Sequence, residues 1–404
     1  MSEMTAPRHR WIVFGAMAGV YLTFGVAVAA IAPMLTVVRE DLGVSRGAMG
    51  FALGAWALIY IGTAPIAGRF IDRVGLGWSL TLGGVSIAGS LLLRAAAQGL
   101  GTLWLAVAAF GVFGPLVSAS APKLMATWFP DEHERRRGVG WYSVAPGVGG
   151  TLVIATTNPV LLVWFDSWRQ VLVFEAALAT VATIAWIIVW NRVEQPEPAE
   201  TTTVAAGEGS FRHLLGSREI QLILVVAFTL FFVTHALGNW LPTVLEELSG
   251  LSPTAAGGWV AVGGLVSIAA GATIPAFATP GRMHLLIAGI LTVTMLGLVA
   301  IVLTPTGAHG ALSLVTALRG SLIGLAIVTL LAADRVTPAN TGIANGLWFS
   351  AAEVGGVTGP LAVGALADTS AGYEGALLTV AAIGSLGVVV SLSAHRRRTL
   401  VPAD

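Results

Sequence analysis

The sequence predicts an all-α membrane protein of 12 transmembrane helices arranged as two six-helix bundles. Three observations predict this class. Hydrophobic residues make up 55% of the 404 residues and charged residues only 10%, with a mean hydropathy of +0.83. Apolar runs long enough to cross a bilayer, which takes about 20 residues each, follow one another along the chain. Motifs of the first half also return in the second half. A soluble protein carries about 25% charged residues, so that class is excluded.

Composition excludes several kinds of chemistry as well. The 21 basic and 21 acidic residues cancel, so no basic surface for nucleic acid is indicated. The chain has no Cys, which excludes disulfides, thiolate metal sites and cysteine nucleophiles. The sequence contains no HExxH motif, no GxxxxGK[ST] loop and no nucleophile elbow. We therefore expect no enzymatic activity, no catalytic residue, no metal and no cofactor. Without a nucleotide-binding loop, any energy-requiring process in the membrane would have to be driven by an ion or substrate gradient.

The apolar runs define the predicted spans one by one. They cover residues 11–35, 48–68, 77–97, 101–127, 138–162, 170–191, 220–243, 254–278, 284–304, 309–333, 341–366 and 374–394. The first run follows a short basic segment and has no small-residue cleavage site, which favours a transmembrane helix over a signal peptide. The long polar break at 192–219 is rich in Pro, Glu and Thr and predicts a flexible linker. We expect an N-terminal bundle at 1–191, a cytoplasmic linker at 192–219 and a C-terminal bundle at 220–404.

The basic residues predict the orientation. If both termini face the cytoplasm, 15 of the 21 basic residues lie on the cytoplasmic side and 3 on the outer side. Cytoplasmic loops of membrane proteins carry such an excess of Arg and Lys. We therefore expect a multi-pass protein of the cell inner membrane with both termini in the cytoplasm. The remaining three basic residues, Arg94, Lys123 and Arg319, fall inside the spans.

The two halves repeat at one offset. TVVREDLGVSRGAMG at 36–50 matches TVLEELSGLSPTAAG at 243–257, with 7 of 15 positions identical at a shift of 207. WYSVAPGVGGT at 141–151 matches WFSAAEVGGVT at 348–358 at the same shift. Shared membrane composition explains the Gly and Ala identities but not the register of Trp and Ser. Six spans per repeat make the halves parallel repeats, with a substrate site expected near the midplane between them.

The loop between spans 2 and 3 carries the motif that identifies a family. GRFIDRVG at 68–75 resembles the Gly-x-x-x-Asp-Arg-x-Gly loop of the major facilitator superfamily, with Gly68, Asp72, Arg73 and Gly75 in the matching positions. The spans, the repeat and the central linker agree with this resemblance along the whole chain. It implies a secondary transporter that works by alternating access, is expected to be a monomer in the lipid bilayer, and uses Asp72 and Arg73 as a gating loop that holds the outward-open state.

Segments of the chain resemble motifs of two different groups within that family. TWFPDEHERRRG at 127–138 and GPLAVGALAD at 359–368 are most similar to the cyanate-permease and organic-anion branches. APGVGG at 145–150 resembles the Gly-Pro-x-x-Gly-Gly motif of proton-coupled drug antiporters, with Ala145 in place of the first Gly. The preferred function is proton-linked transport, by symport or exchange, of a small organic anion of the carboxylate type. The alternative is a proton-coupled efflux antiporter for drug-like compounds.

Two ionisable residues are predicted deep in the membrane, where a charge is costly and marks a candidate functional site. Arg319 lies ten residues into span 10, about 15 Å deep, and its guanidinium suits a substrate carboxylate. The alternative is an Arg that ties two helices together. Glu353 lies twelve residues into span 11, about 18 Å deep, and is the candidate proton carrier or a counter-ion of Arg319. Arg94, near the outer end of span 3, is expected to anchor that helix at the interface.

Five further residues are candidates for substrate contact. His235 and Asn239 lie four residues apart on one face of span 7, and His235 is also a candidate for proton coupling because it titrates near neutrality. Tyr21 in span 1 and Tyr142 in span 5 offer a hydroxyl to an anion or a ring to an apolar substrate. Lys123, the one Lys of the chain, lies near the inner end of span 4.

Overall fold

The computed structural model describes residues 9–195, 211–274, 281–336 and 341–400, and these ranges contain helices and no strand. Twelve helical segments of the described chain are long and apolar enough to cross a membrane. They correspond one to one with the predicted apolar runs, so the predicted fold class is confirmed. We number the segments spans 1 to 12 in chain order and call spans 1–6 and 7–12 the two halves.

The first half contains three interrupted spans. Span 1 is Arg10–Ala29, a turn at Ala32–Met34 and a short helix at Leu35–Leu42, and span 2 is Arg46–Leu53 followed by Ala55–Val74. Span 5 is Glu132–Thr156, with a π-helical turn at Thr157–Leu161 and a last turn at Leu162–Phe165. Spans 3, 4 and 6 are the continuous helices Leu76–Ala95, Leu100–Trp128 and Trp168–Arg192.

The second half follows a short helix at Phe211–Leu215, which falls within the predicted linker; residues 196–210 of that linker lie outside the described residues. Spans 7, 8 and 9 are Arg218–Ser249, Pro253–Thr273 and Met283–Leu303. Span 10 is His309–Thr316, a 3₁₀ segment at Ala317–Ser321 and Leu322–Leu331. Spans 11 and 12 are Thr341–Ala367 and Gly372–Leu400.

The sequence repeat has a counterpart in backbone geometry. Gly43 and Gly250, 207 residues apart, both adopt the left-handed conformation, with φ of 61° and 64°. Two residues later, Ser45 and Ser252 both act as N-caps and accept a hydrogen bond from the backbone N–H of the third helical residue. Each Gly supplies the positive φ that ends one helix, and each Ser satisfies an unpaired donor at the start of the next. The connections between spans 1 and 2 and between spans 7 and 8 are therefore built alike.

The halves meet along two pairs of helices. Span 2 packs against span 11, and span 5 packs against span 8. Close approach of spans 2 and 11 depends on glycine, because a side chain on Gly50 would collide with the Pro360 carbonyl oxygen. These contacts lie toward the end of the bundle that carries the connections at residues 43–45 and 368–371, which we call the distal end. The end that carries residues 9 and 400 is called the termini end.

Candidate functional site

Two predicted tyrosines lie side by side between spans 1 and 5. The rings of Tyr21 and Tyr142 have centroids 5.9 Å apart, and both side chains are half-buried. Phe24, one helical turn beyond Tyr21, continues the aromatic surface at 5.9 Å. The structure thus brings together two residues that the sequence places in separate spans, and they offer two hydroxyls beside an aromatic wall.

His235 of span 7 is held between rings from both halves. Its imidazole lies 5.5 Å from the indole of Trp56 in span 2 and 5.1 Å from the ring of Phe231 in its own helix. Its Nδ1 is 3.0 Å from the Phe231 carbonyl oxygen. A carbonyl oxygen only accepts, so we infer that Nδ1 carries the proton and Nε2 is the basic nitrogen. Asn239, the other predicted residue of this face, is buried and donates its amide to the His235 carbonyl oxygen at 2.8 Å.

Glu353 of span 11 approaches His235 across a glycine. Its side chain is 2% exposed, and among the described residues its Oε2 has no hydrogen-bond partner. An ideal Cβ on Gly356 would lie 2.6 Å from Glu353 Oε2 and 3.3 Å from His235 Nδ1. Any side chain at Gly356 would therefore displace one of these two groups. A buried carboxyl next to an imidazole is an arrangement that can take up and release a proton.

Tyr60 of span 2 faces the same region from the other half. Its hydroxyl lies 2.5 Å from the Ser118 hydroxyl of span 4, and it interacts electrostatically with Glu353 and Tyr21. Three of the four tyrosines of the chain therefore lie in the same part of the first half. Neither Tyr60 nor Trp56 is predicted as a site residue from the sequence. Tyr60 could have been chosen because the chain has only 4 Tyr. Trp56 could not have been chosen in this way, because the chain has 13 Trp.

Arg319 lies in a break of span 10. The helix changes to 3₁₀ geometry over Ala317–Ser321. Ser313 and Thr316 just before this segment and Ser321 at its end bond back to carbonyls of their own span. Such local bonds compete with regular helix geometry, and a 3₁₀ stretch in mid-helix is typical of a functional position. The half-buried Arg319 donates to the Thr316 carbonyl at 2.8 Å and to its hydroxyl at 3.2 Å. No ion pair joins Arg319 to Glu353 in the described structure, so the guanidinium has no carboxylate partner there.

The remaining predicted residues lie near the termini end. Lys123 is half-buried, five residues before the end of span 4 at Trp128. Gly68 and Arg73 are exposed in the last part of span 2, and Gly75 ends that helix with φ of 87°, a conformation that favours glycine. The Asp72 side chain lies outside the described part of the structure.

One expectation for the spans is wrong. Arg94 does not anchor span 3 at an interface: it is 3% exposed and donates to the Ala27 carbonyl oxygen at 2.5 Å. Ala27 is near the end of the first helix of span 1, where carbonyls lose their helical partners. Glu175 of span 6, also buried, interacts electrostatically with Arg94. The bond from Arg94 to Ala27 links spans 1 and 3 of the first half and was not predicted.

Taken together, 12 apolar spans, a doubled architecture and polar groups buried between the halves define a polytopic membrane transporter. A sequence profile of the Major Facilitator Superfamily matches residues 17–333. The chain belongs to the Major Facilitator Superfamily, and it is a transporter rather than an enzyme.

Comparisons with individual proteins agree with this family. The chain is 26% identical over 397 residues to the D-galactonate transporter of Escherichia coli O6:H1, covering 87% of each chain. It is 26% identical over 426 residues to the hexuronate transporter of Escherichia coli K12, covering 94% of this chain and 91% of the relative. The structure superposes on a bacterial homologue of the human lysosomal transporter Spinster, crystallised in an inward-facing, unoccupied conformation, with a TM-score of 0.76 and 15% identity over 98% and 99% of the two chains.

Proposed function

We propose that this chain transports a small organic anion of the carboxylate type, linked to proton movement, by alternating access between the two halves. The first support is the pair of relatives matched over nearly their whole length, which are named for D-galactonate and for hexuronates. Both substrates are hydroxylated acids. The proposed substrate is therefore a sugar acid or a similar hydroxy-carboxylate.

The observation that carries the anion proposal is the guanidinium of Arg319. It is half-buried at a break in span 10 and has no carboxylate partner among the described residues. A charge placed at bilayer depth without a counter-ion is costly, and a substrate carboxylate would offset this cost with charge-assisted hydrogen bonds. We assign Tyr21, Tyr142, His235, Asn239 and Lys123 to substrate contact. The tyrosine rings can stack on a sugar face while their hydroxyls bond its hydroxyl groups.

Proton linkage is assigned to Glu353 with His235. The Glu353 carboxyl is buried, one of its oxygens lacks a partner in the described structure, and an imidazole lies beside it. Because the two groups lie where Trp56 and Tyr60 of the other half meet them, separation of the halves would change their exposure to water. Proton uptake and the motion of the halves are thereby linked.

The orientation follows from the basic residues. We propose that the termini end faces the cytoplasm, since 15 of the 21 basic residues belong to that side. The contacts of spans 2 and 11 and of spans 5 and 8 would then close the outer side, and we propose that this state is inward-open. We further propose a monomer in the cell inner membrane, with the two halves joined by a linker at 192–219.

Uptake into proteoliposomes tests the proposal. With an inward proton gradient, labelled D-galactonate or D-galacturonate should accumulate, and neutral D-galactose should not compete. When the proton gradient is collapsed, the concentration of labelled acid inside the proteoliposomes should rise only to the concentration outside. The result that contradicts the proposal is gradient-dependent extrusion of a cationic dye without binding of any carboxylate, which would favour the drug-efflux alternative.

A further inference from the structure

We propose that Asp368, at the end of span 11, is a conformational latch that holds the distal end closed by binding the first turn of span 2. The latch consists of Asp368 from the second half with Arg46 and Gly47 from the first half. It lies in the segment GPLAVGALAD, whose function the transport site does not explain. This inference rests on alternating access but on no particular substrate.

The bonding of Asp368 uses both carboxylate oxygens. Oδ1 accepts the backbone N–H of Arg46 at 3.1 Å, and Oδ2 accepts the backbone N–H of Gly47 at 2.7 Å. The first N–H groups of a helix have no partner within the helix, and its N-terminus favours a negative charge. Ser45 of span 2 caps the N–H of Ala48. Asp368 therefore completes the capping of span 2 from a position 322 residues away.

Gly47 makes the approach possible. An ideal Cβ there would lie 3.2 Å from Asp368 Oδ2 and 3.4 Å from the Ala365 Cα. A Cβ at this position would be a tight contact, so the carboxylate would have to shift by a few tenths of an ångström. The glycine thus permits contact between the helices as well as the hydrogen bond.

The Arg46 side chain adds a second link. Its guanidinium pairs with Glu247 of span 7 at 2.9 Å and lies over the ring of Tyr373 of span 12, 5.4 Å from the centroid. Both ion-pair partners are partly exposed, so this pair contributes little by itself. The two backbone bonds to Asp368 are the main element of the latch.

The sequence repeat shows that the latch is specific to this interface. At the shift of 207 residues, Arg46 corresponds to Pro253 and Asp368 to Leu161. Span 8 begins with the same Ser cap, but Pro253 has no N–H and Leu161 has no acceptor. The pair formed by spans 5 and 8 therefore cannot form the same carboxylate cap, and Asn158 of span 5 instead donates to the Pro253 carbonyl oxygen at 3.2 Å.

A cysteine reporter tests the latch, since the chain contains no Cys of its own. Val357 of span 11 lies against Gly54 of span 2, with 3.3 Å between the Val357 Cα and an ideal Cβ on Gly54. In a Val357→Cys protein, an impermeant maleimide applied from the distal side should react only when the halves separate there. Adding Asp368→Ala should speed this reaction about fivefold, the factor expected for losing one capping side chain. Glu374→Ala, which removes an exposed carboxylate on the same face, is the matched control and should leave the rate unchanged.

A second comparison isolates the backbone donor without altering Asp368. Arg46→Ala removes the side chain but keeps the N–H, whereas Arg46→Pro removes both at a first helical position that tolerates Pro. Arg46→Pro should react faster than Arg46→Ala. Equal rates in these two variants, or equal rates in Asp368→Ala and Glu374→Ala, would overturn the latch alone. No distal reaction in any variant would overturn the latch and alternating access together.

Discussion

The indole of Trp56 in span 2 packs against the imidazole of His235 in span 7, with ring centroids 5.5 Å apart and planes inclined by 49°. The contact joins the two halves between the predicted proton site and the distal end. Any motion that opens the distal end must separate these rings. Trp56 thereby links the exposure of His235 and Glu353 to the position of the first half.

Replacing Trp56 with Leu should weaken the closed state. A tilted aromatic pair is worth about 0.5–1.5 kcal/mol beyond its buried area, so Trp56→Leu should raise distal labelling of the Val357→Cys reporter several-fold. Trp104→Leu, in span 4, replaces a Trp whose stacking partner Phe51 is in the same half and is the control. If both variants label at the same rate, the ring contact has no role in closure.

Arg319→Lys should weaken carboxylate binding. Lysine keeps the charge but loses the planar fork, so the expected loss is about 1–3 kcal/mol, or one to two decades in Kd. Calorimetric titration with D-galacturonate measures the change. Arg282→Lys, at an exposed position directly before span 9, should bind like the unmodified protein. Unchanged affinity in Arg319→Lys and in Arg319→Ala would remove this residue from the site.

Glu353→Gln should separate exchange from accumulation. The amide cannot carry a proton, so accumulation driven by a pH gradient should be abolished, while counterflow exchange of substrate needs no net proton movement and should continue. Both are measured in proteoliposomes, with Glu374→Gln as the control for a carboxylate lost at the surface. Full pH-driven accumulation in Glu353→Gln would exclude Glu353 as the proton carrier.

Asp72→Asn should slow transport while leaving substrate binding intact. By its resemblance to the family loop, Asp72 stabilises closure of the termini end, so its loss should favour the state seen here. Labelling of the Val357→Cys reporter from the distal side should therefore fall, the opposite of the effect of Asp368→Ala. Weakened binding together with unchanged turnover would contradict the gating assignment.

The latch should not respond to pH in the physiological range. Partial burial acts to raise the pKa of Asp368, but the backbone N–H groups of Gly47 and Arg46, with the Ser45 side chain and the Arg46 charge, hold that pKa below its usual range. Arg46 in turn faces Glu247 and Tyr373. With the latch open, the pKa of Asp368 should be the ordinary value of about 3.9, and with the latch closed it is lower. The latch therefore contributes its full stabilisation above a pH of about 3.9, and this stabilisation is lost as the pH falls through the lower pKa of the closed latch.

The contribution of the latch at each pH is measured by the labelling rate of the Asp368→Ala reporter protein divided by that of the parent reporter protein. Groups other than Asp368 that titrate affect both proteins equally, so their effect cancels in this ratio. The ratio should be constant from pH 5.5 to 8. A ratio that falls toward one within that window would mean that Asp368 is protonated there and that the latch is a pH sensor.

The polar residues of the site illustrate how far sequence reasoning reaches. A charge deep in an apolar run is visible in the sequence because its cost depends only on depth, so Arg319 and Glu353 could be chosen without a structure. Their lack of contact with each other could not be predicted, since it depends on how spans 10 and 11 are rotated. The burial of Arg94 could not be predicted for the same reason: its position in span 3 is encoded locally, but its bond to the Ala27 carbonyl depends on the packing of span 1.

The number of spans, their order and the repeat of the two halves can be read from the amino-acid sequence alone. Those properties follow from the length of each apolar run and from short local signals, such as the Gly and Ser that recur at residues 43–45 and 250–252. The contact of His235 with Trp56 and the capping of span 2 by Asp368 depend on the packing of the spans, because each contact joins residues far apart in the chain. The energy of such a contact depends on how closely two helices pack, to within a few ångströms. The apolar periodicity of either helix does not specify that distance.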